Sequence, residues 1–220
     1  MAFDPRQSYS IEAEDLILKR LVDVLGLAPS GAPGFYVDIG AYHPIRHSNT
    51  YLFYQLGWRG VNVEPNPDAI EDFRSLRPLD TTLNCGISDT SKTLVYQRFN
   101  DPLVNGFFDL NHVQMLVRSG YVHLGSTTVD CLGVRELLKN YIHQQIDILN
   151  IDIETHESVV LGAWNWEAYR PKLICVEIHT LTMTNVLETE TASLLGANGY
   201  GLMSRVFQSA MFVDLRLLKP

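Results

Sequence analysis

Five short apolar runs recur along this chain, and each ends in an acid or beside one: FYVDIG (35–40), GVNVEP (60–65), TTLNCGIS (81–88), DILNIDIE (147–154) and KLICVEIH (172–179). Between them lie SNTYLFYQLG, PDAIEDFRSL, GVRELLKNYI and HESVVLGAWNW, segments of about ten residues that read as helices. A strand buried on both faces needs apolar residues throughout rather than at alternate positions. Such strands alternating with helices mark βαβ units and a mostly parallel sheet. A sheet of this kind binds ligands beyond the carboxyl ends of its strands, where strand order reverses. The run ends, Asp38 to Ala41, Glu64 to Asn66, Ile87 to Asp89, Asp152 to Glu154 and Glu177 to His179, are therefore where chemistry is expected.

The remaining segments complete the frame. Apolar spacing, acids near the start and Gly26 near the end predict a helix over 10–25. A Gly- and Pro-rich linker follows at 28–34. TLVYQRF (93–99) and STTVDCL (126–132) read as further strands, while 100–120 is polar-aromatic and shows no clear period. A helix near 188–196 precedes GYGLMSR and QSAMFVDLRLL, a closing pair of strands. At 220 residues the expectation is one domain over 1–220, with a helical extension at 1–33 and an insertion or lid at 100–125.

Charge and cysteines narrow the partners. Lys and Arg number 17 against 25 Asp and Glu, a formal charge of −8. An acidic chain has no overall attraction to phosphate backbones, so nucleic acid is not the expected partner. Cys85, Cys131 and Cys175 form no CxxC pair, which argues against a disulfide framework or a zinc cluster. The start of the sequence has no signal-peptide pattern, and no apolar run nears the ~18 residues of a membrane span. A soluble, cytoplasmic protein with reduced thiols is the expectation.

The sharpest pairing is Gly40 with Glu64, which stands 24 residues further on at the end of the next run. A Gly turn after a strand, with an acid about 20 residues beyond it, suits the ribose of an adenosine-type ligand. The turn DIGAYHP lacks the GxGxxG that seats a pyrophosphate, and places His43 and Pro44 where close backbone approach is needed. This disfavours an NAD(P)-dependent oxidoreductase, which stays as the alternative. S-adenosylmethionine carries an ammonium and a sulfonium, to which acids at strand ends are complementary.

FYVDIGAYHPIRHSNTYLFYQLGWRGVNVEPNP, ISDTSKTLVYQ, DILNIDIETHESVVLGAW and YRPKLICVEIH resemble the FkbM family of S-adenosylmethionine-dependent methyltransferases. The likeness begins near Ser8, at SYSIEAEDLIL, and extends to about His179. It implies an α/β class I methyltransferase (Rossmann-like) fold: a mostly parallel seven-stranded sheet, helices on both faces and a C-terminal antiparallel hairpin. It also implies methyl transfer to a hydroxyl of a sugar, polyketide or other natural product, a small-molecule or glycan acceptor. Carried over by position, Asp38, Gly40 and Ala41 match the first cofactor motif and Glu64 the ribose-binding acid. Ser88 and Asp89 fall at the adenine, and Asp152 and Glu154 beside the methyl donor. His43, Asn49 and Asn66, in the turns after the first two runs, join the cofactor contacts. Ile11 and Ala13 replace the leading segment's usual Gln and Gly, and Thr155 replaces a Gly, so glycine-only backbone is not expected there. These departures keep open a third class, a binding protein that retains the fold without catalysis.

A hydroxyl attacks only after a base or metal removes its proton. Asp152, Glu154, Glu177 and His179 are the catalytic candidates, because the last two core strands should be neighbours. Asp152, Glu177 and His179 are also a plausible ligand set for a divalent metal such as Mg²⁺. Phe107, Phe108, His112 and Tyr121 are the expected lid residues over the acceptor.

Overall fold

The computed structural model describes residues 7–28, 33–180 and 182–218. Much of the 28–34 linker and the first six residues of the extension lie outside them. Helix α1 (Glu14–Val24) precedes β1 (Phe35–Ile39), α2 (Tyr51–Gln55), β2 (Arg59–Val63), α3 (Ile70–Leu76) and β3 (Thr81–Leu83). Then come β4 (Gly86–Ser88), β5 (Lys92–Phe99), α4 (Leu110–Arg118), β6 (His123–Gly133) and α5 (Val134–Tyr141). The chain closes with β7 (Ile148–Ile151), α6 (Glu157–Gly162), β8 (Leu173–Glu177), α7 (Met183–Val186), α8 (Glu190–Ala197), β9 (Tyr200–Val206) and β10 (Ser209–Asp214).

Seven strands form one sheet in the order β3-β2-β1-β7-β8-β10-β9. Pairing is parallel from β3 to β8, and β10 runs antiparallel to both β8 and β9, giving the C-terminal hairpin. The apolar runs have the cause expected of them, since all five residues of β1 are buried. Phe35, Val37 and Ile39 join one core with Leu137 and Leu138 of α5, Leu161 of α6 and Leu195 of α8. Tyr36 points the other way, into a second core with Leu18 and Val22 of α1, Phe53 of α2, and Ile148. Successive side chains of a strand face opposite ways, so helices on both sides leave no position for solvent.

Two sequence expectations change. TTLNCGIS is not one strand: β3 pairs with β2, whereas β4 joins a separate three-stranded sheet ordered β4-β6-β5. Asn84 turns the chain between them by donating its amide to the carbonyls of Glu64 and Pro65. The polar-aromatic stretch after Phe99 contains α4, whose N-cap Asp109 accepts from the His112 N–H at 2.8 Å. Val113 of α4 packs on Phe99 and Phe108 in a small core of its own. Among the described residues no helix is long and apolar enough to cross a membrane.

Candidate active site

Strand order reverses between β1 and β7, and a cavity of about 790 Å³, counted to its open mouth, lies at their carboxyl ends. Gly40 sits at φ 80°, and a Cβ there would lie 1.8 Å from the carbonyl oxygen of Asp152. The glycine thus lets the turn after β1 pass against the end of β7. Among the described residues four acids line the cavity, Asp38, Glu64, Asp152 and Glu154, and no Lys or Arg does.

Each acid is held differently. Both oxygens of Asp38 are occupied, accepting from Thr50 Oγ1 at 2.5 Å and Asn150 Nδ2 at 2.9 Å. Its burial raises its pKa. Glu64 accepts the N–H groups of Tyr42 and Asn66, both at 2.7 Å, and burial pushes it up to about 7. Each of its oxygens keeps a second lone pair for another donor. Burial, reinforced by the negative charge of Glu177, holds Asp152 well above the usual carboxylate range. Burial also raises Glu154, against the pull of His179.

Glu177 and His179 stand behind this end of the cavity rather than in its lining. His179 Nε2 lies 3.0 Å from Glu177 Oε2 and 3.7 Å from Glu154 Oε2, and bonds to Glu154 and Glu177 push the imidazole up to about 10. Donor atoms of Glu154, Glu177 and His179 lie within 4.8 Å of one another, as do those of Asp152, Glu157 and Glu177. The expected trio of Asp152, Glu177 and His179 is therefore divided between two overlapping groups that share Glu177. Sequence reasoning missed Glu157, whose Oε1 accepts the Ile153 N–H at 2.9 Å and which burial lifts to about 7.

The other expected residues separate cleanly. Ala41, Asn49 and Asn66 line the cavity, and Asn49 Nδ2 donates to Asn150 Oδ1 at 2.9 Å. His43 lies outside the lining: its Nδ1 accepts the N–H groups of Ile45 and Arg46, and burial lowers its pKa. Ser88 and Asp89 also lie outside it; the Ser88 hydroxyl is bonded to His156 Nε2 and to Asp89, and Asp89 pairs with Lys92. Phe107 packs against this strand, its Cζ 2.6 Å from where a Gly86 Cβ would be. Pro102, Leu103, Asn105, Gly106 and Phe107 reach the cavity, held by the pairing of Gly106 with Gln97. Phe108 stacks on His112, and with Tyr121 it belongs to the separate small core.

Phe107 lines the cavity as one of the expected lid residues, while Tyr42, His47, Tyr96, Asn105 and Asn150 line it without having been expected. Asn150 alone had a signal, as a polar residue inside an apolar run. Among the described residues six non-glycines have positive φ, and four of them, Tyr42, His47, Glu154 and Thr155, line the cavity or adjoin it. Such backbone costs about 1–3 kcal/mol per residue and persists where surrounding structure imposes it. Thr155, at φ 74°, takes the left-handed backbone that its side chain was expected to exclude. The bond from the Ile153 N–H to Glu157 braces the turn in which it sits.

A model of the FkbM methyltransferase domain matches residues 38–201. The structure is similar to methyltransferase FkbM from Methylobacillus flagellatus, with a TM-score of 0.50 at 14% identity over 82% of this chain. That likeness is one of fold, a class I methyltransferase fold, and the chain spans 43% of that protein's length. A precorrin-6y C5,15-methyltransferase from Geobacter metallireducens has a TM-score of 0.46 at 11% identity, covering 96% of this chain and 92% of that one. Magnesium protoporphyrin IX methyltransferase from Synechocystis, solved with S-adenosylmethionine bound, has a TM-score of 0.42 at 9% identity, covering 90% and 76%. Comparison with curated proteins finds no match.

Proposed function

This chain belongs to the FkbM methyltransferase family, and from that premise we propose that it transfers a methyl group from S-adenosylmethionine to a hydroxyl of a small-molecule or glycan acceptor. The observation that carries this reading is the cavity itself, four carboxylates and no Lys or Arg at the point where strand order reverses. An ammonium and a sulfonium suit that lining electrostatically. The free lone pairs of Glu64 suit the hydroxyls of a ribose. A dinucleotide fits it less well, because its pyrophosphate would face four acids.

When bound, the cofactor supplies an electrophilic methyl on sulfur. Glu64 accepts from the ribose and fixes it, while Asp38, bonded to Thr50 and Asn150, holds the turn after β1 in place. Asn49 and Asn66 present amides to the same cavity. Alignment of this kind is worth about 7–11 kcal/mol of barrier in favourable cases. Asp152, raised by burial and by Glu177, is the base that takes the acceptor hydroxyl's proton, with Glu154 beside it. Glu177 and His179 position these two carboxylates from behind. The Glu154, Glu177 and His179 donors also suit a divalent cation such as Mg²⁺, which would lower an acceptor hydroxyl's pKa. The acidic balance of the chain favours acceptors without a phosphate backbone, and the setting expected for this chemistry is cytoplasmic.

Release of S-adenosylhomocysteine from S-adenosylmethionine with a panel of sugars, polyols and phenols tests the reading. Asp152→Asn should lower turnover about 10²- to 10⁴-fold, and a chelator should lower it further only where the cation takes part. Turnover equal to wild type in Asp152→Asn would remove Asp152 as the base. Cofactor binding without turnover on any acceptor would favour a non-catalytic binding role.

A further inference from the structure

S-adenosylmethionine carries one negative group besides its two cationic ones, and the acids of this cavity repel it. Among the lining residues, His47 is the one whose side chain can carry positive charge. We infer that His47 receives the α-carboxylate of the cofactor, an assignment that rests on the cavity being an S-adenosylmethionine site.

Three features of the structure support this. Among the described residues the His47 ring makes no hydrogen bond or ion pair and is exposed at the cavity, with the Tyr42 ring centroid 5.8 Å away. Most other histidines are committed: His43 to the Ile45 and Arg46 N–H groups, His156 to Ser88, His123 to Gln97, and His179 to Glu154 and Glu177. His47 is also held in place, at φ 56°, by a loop that surrounding structure fixes. The Ser48 N–H donates to the Tyr9 carbonyl at 3.1 Å. Fully buried Arg77 donates from Nη2 to Ser48 Oγ at 2.6 Å, from Nε to the Pro44 carbonyl at 2.7 Å and from Nη1 to Thr50 Oγ1 at 2.9 Å. A loop fixed in this way costs little backbone ordering when its histidine takes up a ligand. The neighbouring Asn49 amide gives one of its two N–H donors to Asn150 and carries no charge.

Decarboxylated S-adenosylmethionine differs from the cofactor only in lacking this carboxylate, so calorimetry with both ligands isolates the contact. The acids' repulsion is common to both proteins, so wild type should favour S-adenosylmethionine over the decarboxylated form at least about tenfold more than His47→Ala does, the scale of one charge-assisted hydrogen bond. His47→Ala should lose that margin by weakening S-adenosylmethionine alone, and His47→Gln, which keeps a donor, should retain part of it. The same affinity ratio for the two ligands in wild type and His47→Ala would overturn the assignment, whether both ligands weaken equally, the mark of a merely structural role, or neither does. Wild type that binds neither ligand would instead overturn the reading of the cavity as a cofactor site.

Discussion

Glu64 shows how one residue's surroundings set its use. Two backbone N–H groups hold its carboxylate, yet burial lifts it to about 7, so it is partly protonated near neutrality. Ribose hydroxyls donate best to the ionised form. Cofactor affinity should therefore strengthen as pH rises from 6 to 8, through the value near 7, and calorimetry at both pH values should show it. Glu64→Gln cannot ionise and should flatten that dependence; an unchanged slope would mean another group titrates. Arg77 is the opposite case, a charge with no route to solvent. It donates to Pro44, Ser48 and Thr50, with Asp80 Oδ2 3.8 Å away. Arg77→Met removes a donor from each of those acceptors and the countercharge from Asp80, which keeps its bonds from Tyr36, Gly60 and Asn62, and should cost about 3–5 kcal/mol in denaturant unfolding. Nothing in DFRSLRPLD marks this arginine beyond its neighbours, because its importance comes from a loop roughly thirty residues earlier in sequence.

The elements that carry the site are the strand ends and the turns leaving them. Gly40 is where β1 and β7 meet most closely, and Gly40→Ala would drive a methyl into the Asp152 carbonyl. Loss of cofactor binding, with a lower melting temperature, is the expected outcome. The turn after β7 stores strain instead, at Glu154 and Thr155. Thr155→Gly should raise the stability of the ligand-free chain by about 1 kcal/mol, strain relief offset in part by the flexibility of glycine. Equal or lower stability would mean that the turn is not strained. The core strands were legible because two-sided burial forces continuous apolar runs. The break at Asn84–Cys85 was not, because it depends on an amide reaching two carbonyls about 20 residues earlier. Thr155 misled because steric preference is local, whereas the brace from Glu157 is read only in the folded turn.

At the scale of the molecule, the parallel sheet makes the acids converge and the smaller sheet closes over them. Acids at run ends were visible in the sequence, and Asp38, Glu64, Asp152 and Glu154 do line one cavity. Ser88 and Asp89 did not follow, because the β4-β6-β5 sheet brings Phe107 against their strand. Tyr96 and Asn105 were invisible for the same reason: they reach the cavity through pairing within a second sheet, which leaves no periodicity pointing to a ligand. Charge balance likewise counted acids without locating His47. The account as a whole stands on the cavity accepting S-adenosylmethionine through Glu64. The most direct measurement is calorimetric titration of the full chain and of Glu64→Ala with S-adenosylmethionine and, separately, NAD. The account predicts saturable binding of S-adenosylmethionine, weakened about ten- to a hundredfold by Glu64→Ala, and much weaker binding of NAD. Preference for NAD, or S-adenosylmethionine affinity unchanged in a folded Glu64→Ala variant, would contradict it.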